Sequence, residues 1–165
     1  MKKLFSIFAI AVVALVSCKK EGSDCNLVES DKTATSPEIA YLQNFVSSNS
    51  IPATHHASGL YYVIHDSGSA ARPAICSTVF LKYTGRLMET NQPFDQNLTG
   101  YSTVLGGLIP GAQKGLQLIK KGGKIDLYIP PSLAYEERVI LNQAGDTVIP
   151  PNSYLKFEFE LVDVQ

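Results

Sequence analysis

Apolar and polar residues alternate most cleanly near the C-terminus. In "SYLKFEFELVDV", Leu155, Phe157, Phe159 and Leu161 fall on one parity, and Lys156, Glu158 and Glu160 on the other. A period of two with one wet face predicts an antiparallel strand. The same period recurs in "CSTVFLKYTGRL", where Val79, Leu81 and Tyr83 alternate with Thr78, Phe80 and Lys82, and in "GKIDLYIP" through Ile125, Leu127 and Ile129. "METNQPFDQ" reads as a turn into a further strand region, and a short strand falls near Leu60 to His65 between turn residues.

A helical period appears twice. Ile39, Leu42, Phe45 and Val46 share one face of "TSPEIAYLQNFVSS". Its start is capped either by Ser36, with Pro37 at the first helical position, or by Thr35 paired with Glu38 in a capping box. So short an amphipathic helix must dock on the domain that follows. The second helix is predicted over Pro110 to Lys121, with Ala112, Leu116 and Ile119 on its buried face and "KKGG" at its end supplying cations and a glycine cap. Pro110 opens it where a missing N–H costs nothing, and Gly111 and Gly115 let its backbone approach a sheet closely. Strands wrapped around one short helix make an α+β domain. In "EERVILNQAGDT", Val139 to Leu141 and Thr147 to Ile149 flank "NQAGD" and predict an extra hairpin.

The 165 residues accommodate one domain plus tails, and a formal net charge of −1 gives no footprint for nucleic acid. Lys2 and Lys3 precede an apolar run, Leu4 to Val16, that is too short for a membrane span of ~20 residues and suits a signal h-region. "LVSC", Leu15 to Cys18, resembles a bacterial lipobox. That resemblance implies cleavage before Cys18 and acylation of its thiol and new amino group, a stable membrane anchor. The expected organisation is a signal peptide over 1–17, a flexible tether over 18–35, a helix and linker over 36–58, and the domain over 59–165. Export permits disulfides, and Cys25 with Cys76 suffices for one; the alternative is two unpaired thiols, with Cys76 as a small buried residue.

No nucleophile–base motif, phosphate loop or dinucleotide fingerprint is present. His55, His56 and His65 lack Cys or carboxylate partners at ligand spacing and read as solvated loop residues, so neither metal nor cofactor is expected. Aromatics gather instead at strand ends and loops: Tyr83, Phe94, Tyr101, Tyr135 and Phe157. Core packing accounts for any one of them alone.

Eight stretches taken together resemble the FKBP family of peptidyl-prolyl isomerases: "YTGRL" (83–87), "FD" (94–95), "VLGG" (104–107), "LIPGAQKGL" (108–116), "GGK" (122–124), "IPPSLAY" (129–135), "VIPPNS" (148–153) and "LKFEFELVDV" (155–164). Their order and near spacing cover roughly residues 59 to 165. The resemblance implies a twisted antiparallel sheet around one helix and catalysis of X-Pro isomerisation by Tyr83, Phe94, Asp95, Ile109, Tyr135 and Phe157. Tyr101, Leu108, Ala112 and Ile149 would complete the substrate site. Two departures stand out. Ala112 occupies the place where most active members carry a pocket-floor Trp, which implies a reduced rate, and Tyr135 is followed by Glu136-Glu137 rather than Gly. The expected protein is a monomeric, lipid-anchored isomerase of the bacterial cell envelope, facing periplasm or surface, acting on proline-containing polypeptides. The alternative is an FKBP-fold peptide-binding chaperone or assembly factor with little turnover.

Overall fold

The computed structural model describes residues 25–165; the apolar leader, Cys18 and the first part of the predicted tether lie outside them. Six antiparallel strands form one sheet. In chain order they are β1 (Thr54–His55), β2 (Tyr61–Asp66), β3 (Thr78–Leu87), β4 (Pro93–Val104), β5 (Lys124–Ile129) and, last, β8 (Leu155–Val164). Their spatial order is β1-β2-β5-β8-β3-β4. The strand with the cleanest alternation therefore lies in the interior of the sheet, paired to β3 on one side and β5 on the other. Between β5 and β8, β6 (Ile140–Leu141) and β7 (Thr147–Ile149) pair as the separate hairpin expected from the sequence.

The inner face carries the main core. Leu155, Phe157, Phe159 and Leu161 of β8 are buried with Ile125, Leu127 and Ile129 of β5 and with Val79 and Leu81 of β3. Each such side chain contributes about 1.5–3 kcal/mol on leaving water. Helix α2 (Pro110–Leu116) closes this core through Ala112 and Leu116. It docks so closely that a Cβ on Gly115 would collide with the side chain of Leu127. Helix α2 is shorter than predicted. Beyond Leu116 the backbone finds competing partners in the 67–71 loop: Lys120 N–H donates to Ser67 O at 2.9 Å and Lys121 N–H to Ala71 O at 2.9 Å. Ile119 remains fully buried in the turn that results.

Helix α1 (Ser36–Ser48) packs on the opposite face of the sheet. Leu42 and Val46 are buried against Tyr61 of β2 and Tyr128 of β5, with Ile39 and Phe45 beside them. Of the two predicted starts, Thr35 is the cap. Glu38 Oε2 accepts from the Thr35 N–H at 2.7 Å and from its hydroxyl at 2.9 Å.

Two expectations need correction. Residues 25–35 form no regular element, as their lack of period implies, but they are not a free tether. The Lys114 ammonium, buried on α2, is held by Ser30 O at 2.5 Å and Glu29 Oε1 at 3.2 Å. A buried ammonium requires such partners, and only this segment supplies them in the hydrogen bonds described. A disulfide joins Cys25 to Cys76 with a Cα–Cα separation of 5.9 Å. Nor are the histidines simply solvated. His65 Nε2 lies 3.1 Å from Asp126 Oδ1. His56 Nδ1 accepts the Ser58 N–H at 3.1 Å, which requires an unprotonated Nδ1.

Gly115→Ala should cost about 1–3 kcal/mol by overpacking, read as a lower denaturant midpoint with an unchanged m-value. A pH dependence follows from His56. Burial, then the nearby Lys114 charge, hold its imidazole below the usual histidine range. A base with a depressed folded pKa leaves stability intact above that range and reduces it as pH falls through it, because the unfolded chain takes up the proton first. The thermal midpoint should therefore fall on acidification through the ordinary histidine range, and less steeply in His56→Gln.

Candidate functional site

Cross-strand register builds an aromatic cluster at one end of the inner face. Tyr83 on β3 stands opposite Phe159 on β8, and Gly85 stands opposite Phe157. Gly85 has no side chain where two rings need room. A Cβ there would lie 2.6 Å from Phe94 Cζ and 2.8 Å from Phe157 Cε1. Phe94 and Phe157 therefore meet edge to face, with centroids 5.5 Å apart and planes at 82°. Phe157 stacks on Phe159 at 5.2 Å and 8°, and Tyr83 meets Tyr101 of β4 edge-on at 5.6 Å.

These rings enclose a cavity of about 90 Å³. β3 and β4 contribute Tyr83, Phe94, Asp95 and Tyr101; the turn into α2 adds Leu108, Ile109 and Ala112; Tyr135 stands after the 3₁₀ turn Pro131–Leu133. Phe157 and Phe159 come from β8. Phe159 is absent from the predicted set. Parity turns it inward two residues after Phe157, and that was the one signal for it in the sequence. Ile149 departs from expectation the other way. It pairs with Ile140 in the hairpin and turns into the core, 2% exposed. It borders a neighbouring groove of about 340 Å³ that shares Phe94, Asp95 and Tyr135 with the cavity.

A larger groove of about 610 Å³, bordered by Lys82, Lys124, Glu158 and Glu160, is a weaker candidate. Its charges serve one another, with Lys82 and Lys124 both reaching Glu160 at 3.8 and 3.7 Å. The small cavity instead combines apolar walls with a few convergent polar groups, the usual character of a ligand site.

Those polar groups are three phenols, one carboxylate and one backbone amide. Tyr83 Oη donates to Asp95 Oδ2 at 2.5 Å. Burial, reinforced by that carboxylate, pushes the Tyr83 phenol far above its ordinary range. Burial and Asp95 raise Tyr101 and Tyr135 in the same direction. All three phenols stay protonated at neutral pH. Ile109 caps α2, its carbonyl accepting from Ala112 and Gln113 N–H at 3.0 Å each, and no acceptor among the described residues takes its own N–H. No group of three or more His, Cys, Asp or Glu able to hold a metal gathers among the described residues.

Comparison with known proteins shows the family. A family profile described as FKBP-type peptidyl-prolyl cis-trans isomerase matches residues 70–162. The FKBP-type peptidyl-prolyl cis-trans isomerase FkpA of Escherichia coli is 39% identical over 128 residues, 76% of this chain and 44% of that protein. The FKBP-type 22 kDa isomerase of the same organism is 33% identical over 129 residues, covering 76% of this chain and 59% of its own. This chain thus spans less than two thirds of either relative. The crystal structure of Escherichia coli FkpA superposes with a TM-score of 0.65 at 36% identity, over 78% of this chain and 60% of that one. A peptidyl-prolyl cis-trans isomerase from Pseudomonas syringae pv. tomato gives a TM-score of 0.65 at 27% identity, over 82% and 99%.

Alkaline absorbance titration checks the Tyr83–Asp95 bond. Tyr83 should ionise last among the cavity phenols, Asp95→Asn should bring that step down, and Tyr83→Phe should remove one tyrosine's amplitude from the late phase. Tyr101 and Tyr135 also ionise late, so a late amplitude undiminished by the loss of one tyrosine in Tyr83→Phe would contradict the assignment.

Proposed function

Because this chain belongs to the FKBP-type peptidyl-prolyl cis-trans isomerase family, we propose that its domain accelerates cis–trans rotation about X-Pro bonds in polypeptides, with the aromatic cavity as the proline site. The observation that carries the reading is the pairing of a ring-lined cavity with protonated phenols and an uncommitted Ile109 amide. This chemistry needs no nucleophile and no proton transfer.

The barrier to be lowered is ~18–20 kcal/mol and arises from amide resonance. A planar amide is more polar than the twisted one on the way between isomers. Moving it from water to apolar walls thus disfavours the ground state more than the transition state. Tyr83, Phe94 and Phe157 supply those walls, with Tyr101 and Leu108 at their edge. The Ile109 N–H and the Tyr135 hydroxyl are placed to donate to carbonyls of the bound chain. Asp95 holds the Tyr83 phenol in orientation. Ile149 acts from beneath the neighbouring groove, through the hairpin. The phenols remain protonated, so kcat/KM should be flat across neutral pH.

Ala112 adds only a methyl to the cavity, and Phe159 supplies an aromatic surface in the same space. The lipobox-like "LVSC" supports export and anchoring at Cys18, which would place a monomeric domain in the bacterial envelope, acting there on folding polypeptides. Among the described residues no helix is long and apolar enough to cross a membrane.

A coupled cis/trans assay on an X-Pro peptide series tests the reading. Phe157→Ala and Asp95→Ala should each lower kcat/KM by roughly tenfold or more, about 1.4 kcal/mol of transition-state stabilisation, with circular dichroism unchanged. Ala112→Trp should also lower it, because an indole would consume the cavity and overpacking costs about 1–3 kcal/mol. Binding of unfolded chains with no turnover of any X-Pro peptide would replace the isomerase with a peptide-binding chaperone. Cys18→Ala should shift the protein from the membrane to the soluble fraction; unchanged retention would refute the anchor.

A further inference from the structure

The cavity has two walls built on turns rather than on strands. One is the 105–109 turn that ends at the Ile109 amide; the other is the 131–136 turn that carries Tyr135. Neither turn has a strand ladder behind it, yet each is gripped from outside the cavity by the segment that leads into α1 and by the first turn of that helix.

At the first wall the grip passes through Gln113, which is 6% exposed and has no part in the chemistry above. Its Nε2 donates to Gly106 O at 3.0 Å and to Leu108 O at 2.8 Å, the carbonyl immediately before Ile109. Its Oε1 accepts the Ser30 N–H at 3.2 Å. One buried amide is thus shared between the site turn and the N-terminal segment. Leu27 packs on the same turn: a Cβ on Gly106 would stand 2.9 Å from Leu27 Cδ1.

At the second wall Glu38 accepts the Ser132 N–H at 2.8 Å and also the Ser132 hydroxyl. Lys32 Nζ reaches Glu136 Oε1 at 2.6 Å. Glu136 has φ +55°, the left-handed conformation that disfavours side chains with a Cβ, so this turn needs outside support. The segment itself is fixed at one end by the Cys25–Cys76 disulfide and at the other by α1.

We propose that residues 25–38 form a backing strap that sets both walls of the site, with Gln113 and Glu38 as the positioning residues through which it acts. The contacts end within a few residues of the Ile109 amide and of Tyr135, not in the hydrophobic core. The strap therefore governs the placement of donors and leaves the ring-lined walls alone. This inference rests on the cavity being the proline site.

Gln113→Glu separates positioning from bulk stability. It keeps an acceptor for the Ser30 N–H, removes both donors, and sets a carboxylate against the Gly106 and Leu108 carbonyls. In the full chain, kcat/KM should fall about tenfold at neutral pH and recover in part on acidification, as the protonated carboxyl donates again. Hydrogen exchange should quicken in 105–109 and not in 131–136. Glu38→Ala should give the reverse exchange pattern; where loss of its helix cap frays α1, Ser132→Ala removes the hydroxyl contact and spares the cap. Unchanged kcat/KM in Gln113→Glu, or exchange that quickens equally at both walls, would overturn the strap. A wild-type chain inactive on every X-Pro peptide would sink the isomerase reading alone, and the exchange pattern would still decide whether the strap sets each wall.

Discussion

A seven-residue helix cannot hold itself together in water, and the whole site depends on how α2 is held. Fixing its first turn takes more conformational entropy than its few hydrogen bonds return, so its stability comes from docking. Gly115 allows its backbone to press on Leu127, while Ala112 and Leu116 join the core of β3, β5 and β8. That contact fixes the level at which the chain leaves β4 and enters the helix. It thereby fixes where Leu108 and the Ile109 amide stand relative to the rings of Tyr83 and Phe157. The helix does not run on to Lys121, because the Lys120 and Lys121 amides are committed to the 67–71 loop.

The second constraint is an absence of side chain on the opposite side of the cavity. Gly85 sits among residues that otherwise contribute bulk to the sheet, and its missing Cβ is the space in which Phe94 and Phe157 meet. Close-packed aromatic walls keep the cavity small. In that setting the Tyr83–Asp95 bond has its strongest effect: burial disfavours the phenolate, the neighbouring carboxylate disfavours it further, and the ring is held as a neutral donor. The proposed X-Pro rotation would draw on walls and donors of this kind to stabilise its transition state, and on nothing that titrates near neutrality.

Around this rigid centre the irregular segments divide the remaining work. The β6–β7 hairpin extends one side of the site into a neighbouring groove. The segment from Cys25 to Glu38 lies behind both turns and satisfies the buried Lys114 and Gln113. The run before α1 has little hydrophobic pattern of its own, and its energetic role is to pair polar groups that the core leaves buried. An unpaired buried donor costs about 1–3 kcal/mol.

Alternation in "LKFEFELVDV" and "KIDLYI", the Pro-Gly start of α2, the hairpin around "NQAGD" and the face of α1 were legible in the sequence, because each is a local property. Side-chain parity follows from backbone geometry over a few residues, and caps and turns are set by neighbours in the chain. The motif string from Tyr83 to Val164 was legible for the same reason, since it preserves local order and spacing. Tertiary structure decided what depends on distant partners. Helix α2 ends at Leu116, where the Leu118 and Ile119 amides tighten onto Gly115 O and Leu116 O and the Lys120 and Lys121 amides leave for the carbonyls of Ser67 and Ala71. Ile149 turns into the core because its hairpin register faces Ile140. Phe159 joins the cavity because β8 lies opposite Tyr83. The polar run before α1 is bound rather than free because Lys114 and Gln113, more than 80 residues away, are buried and need its carbonyls and amides. Periodicity records which face a residue turns to, and only the folded chain supplies the group that waits on that face.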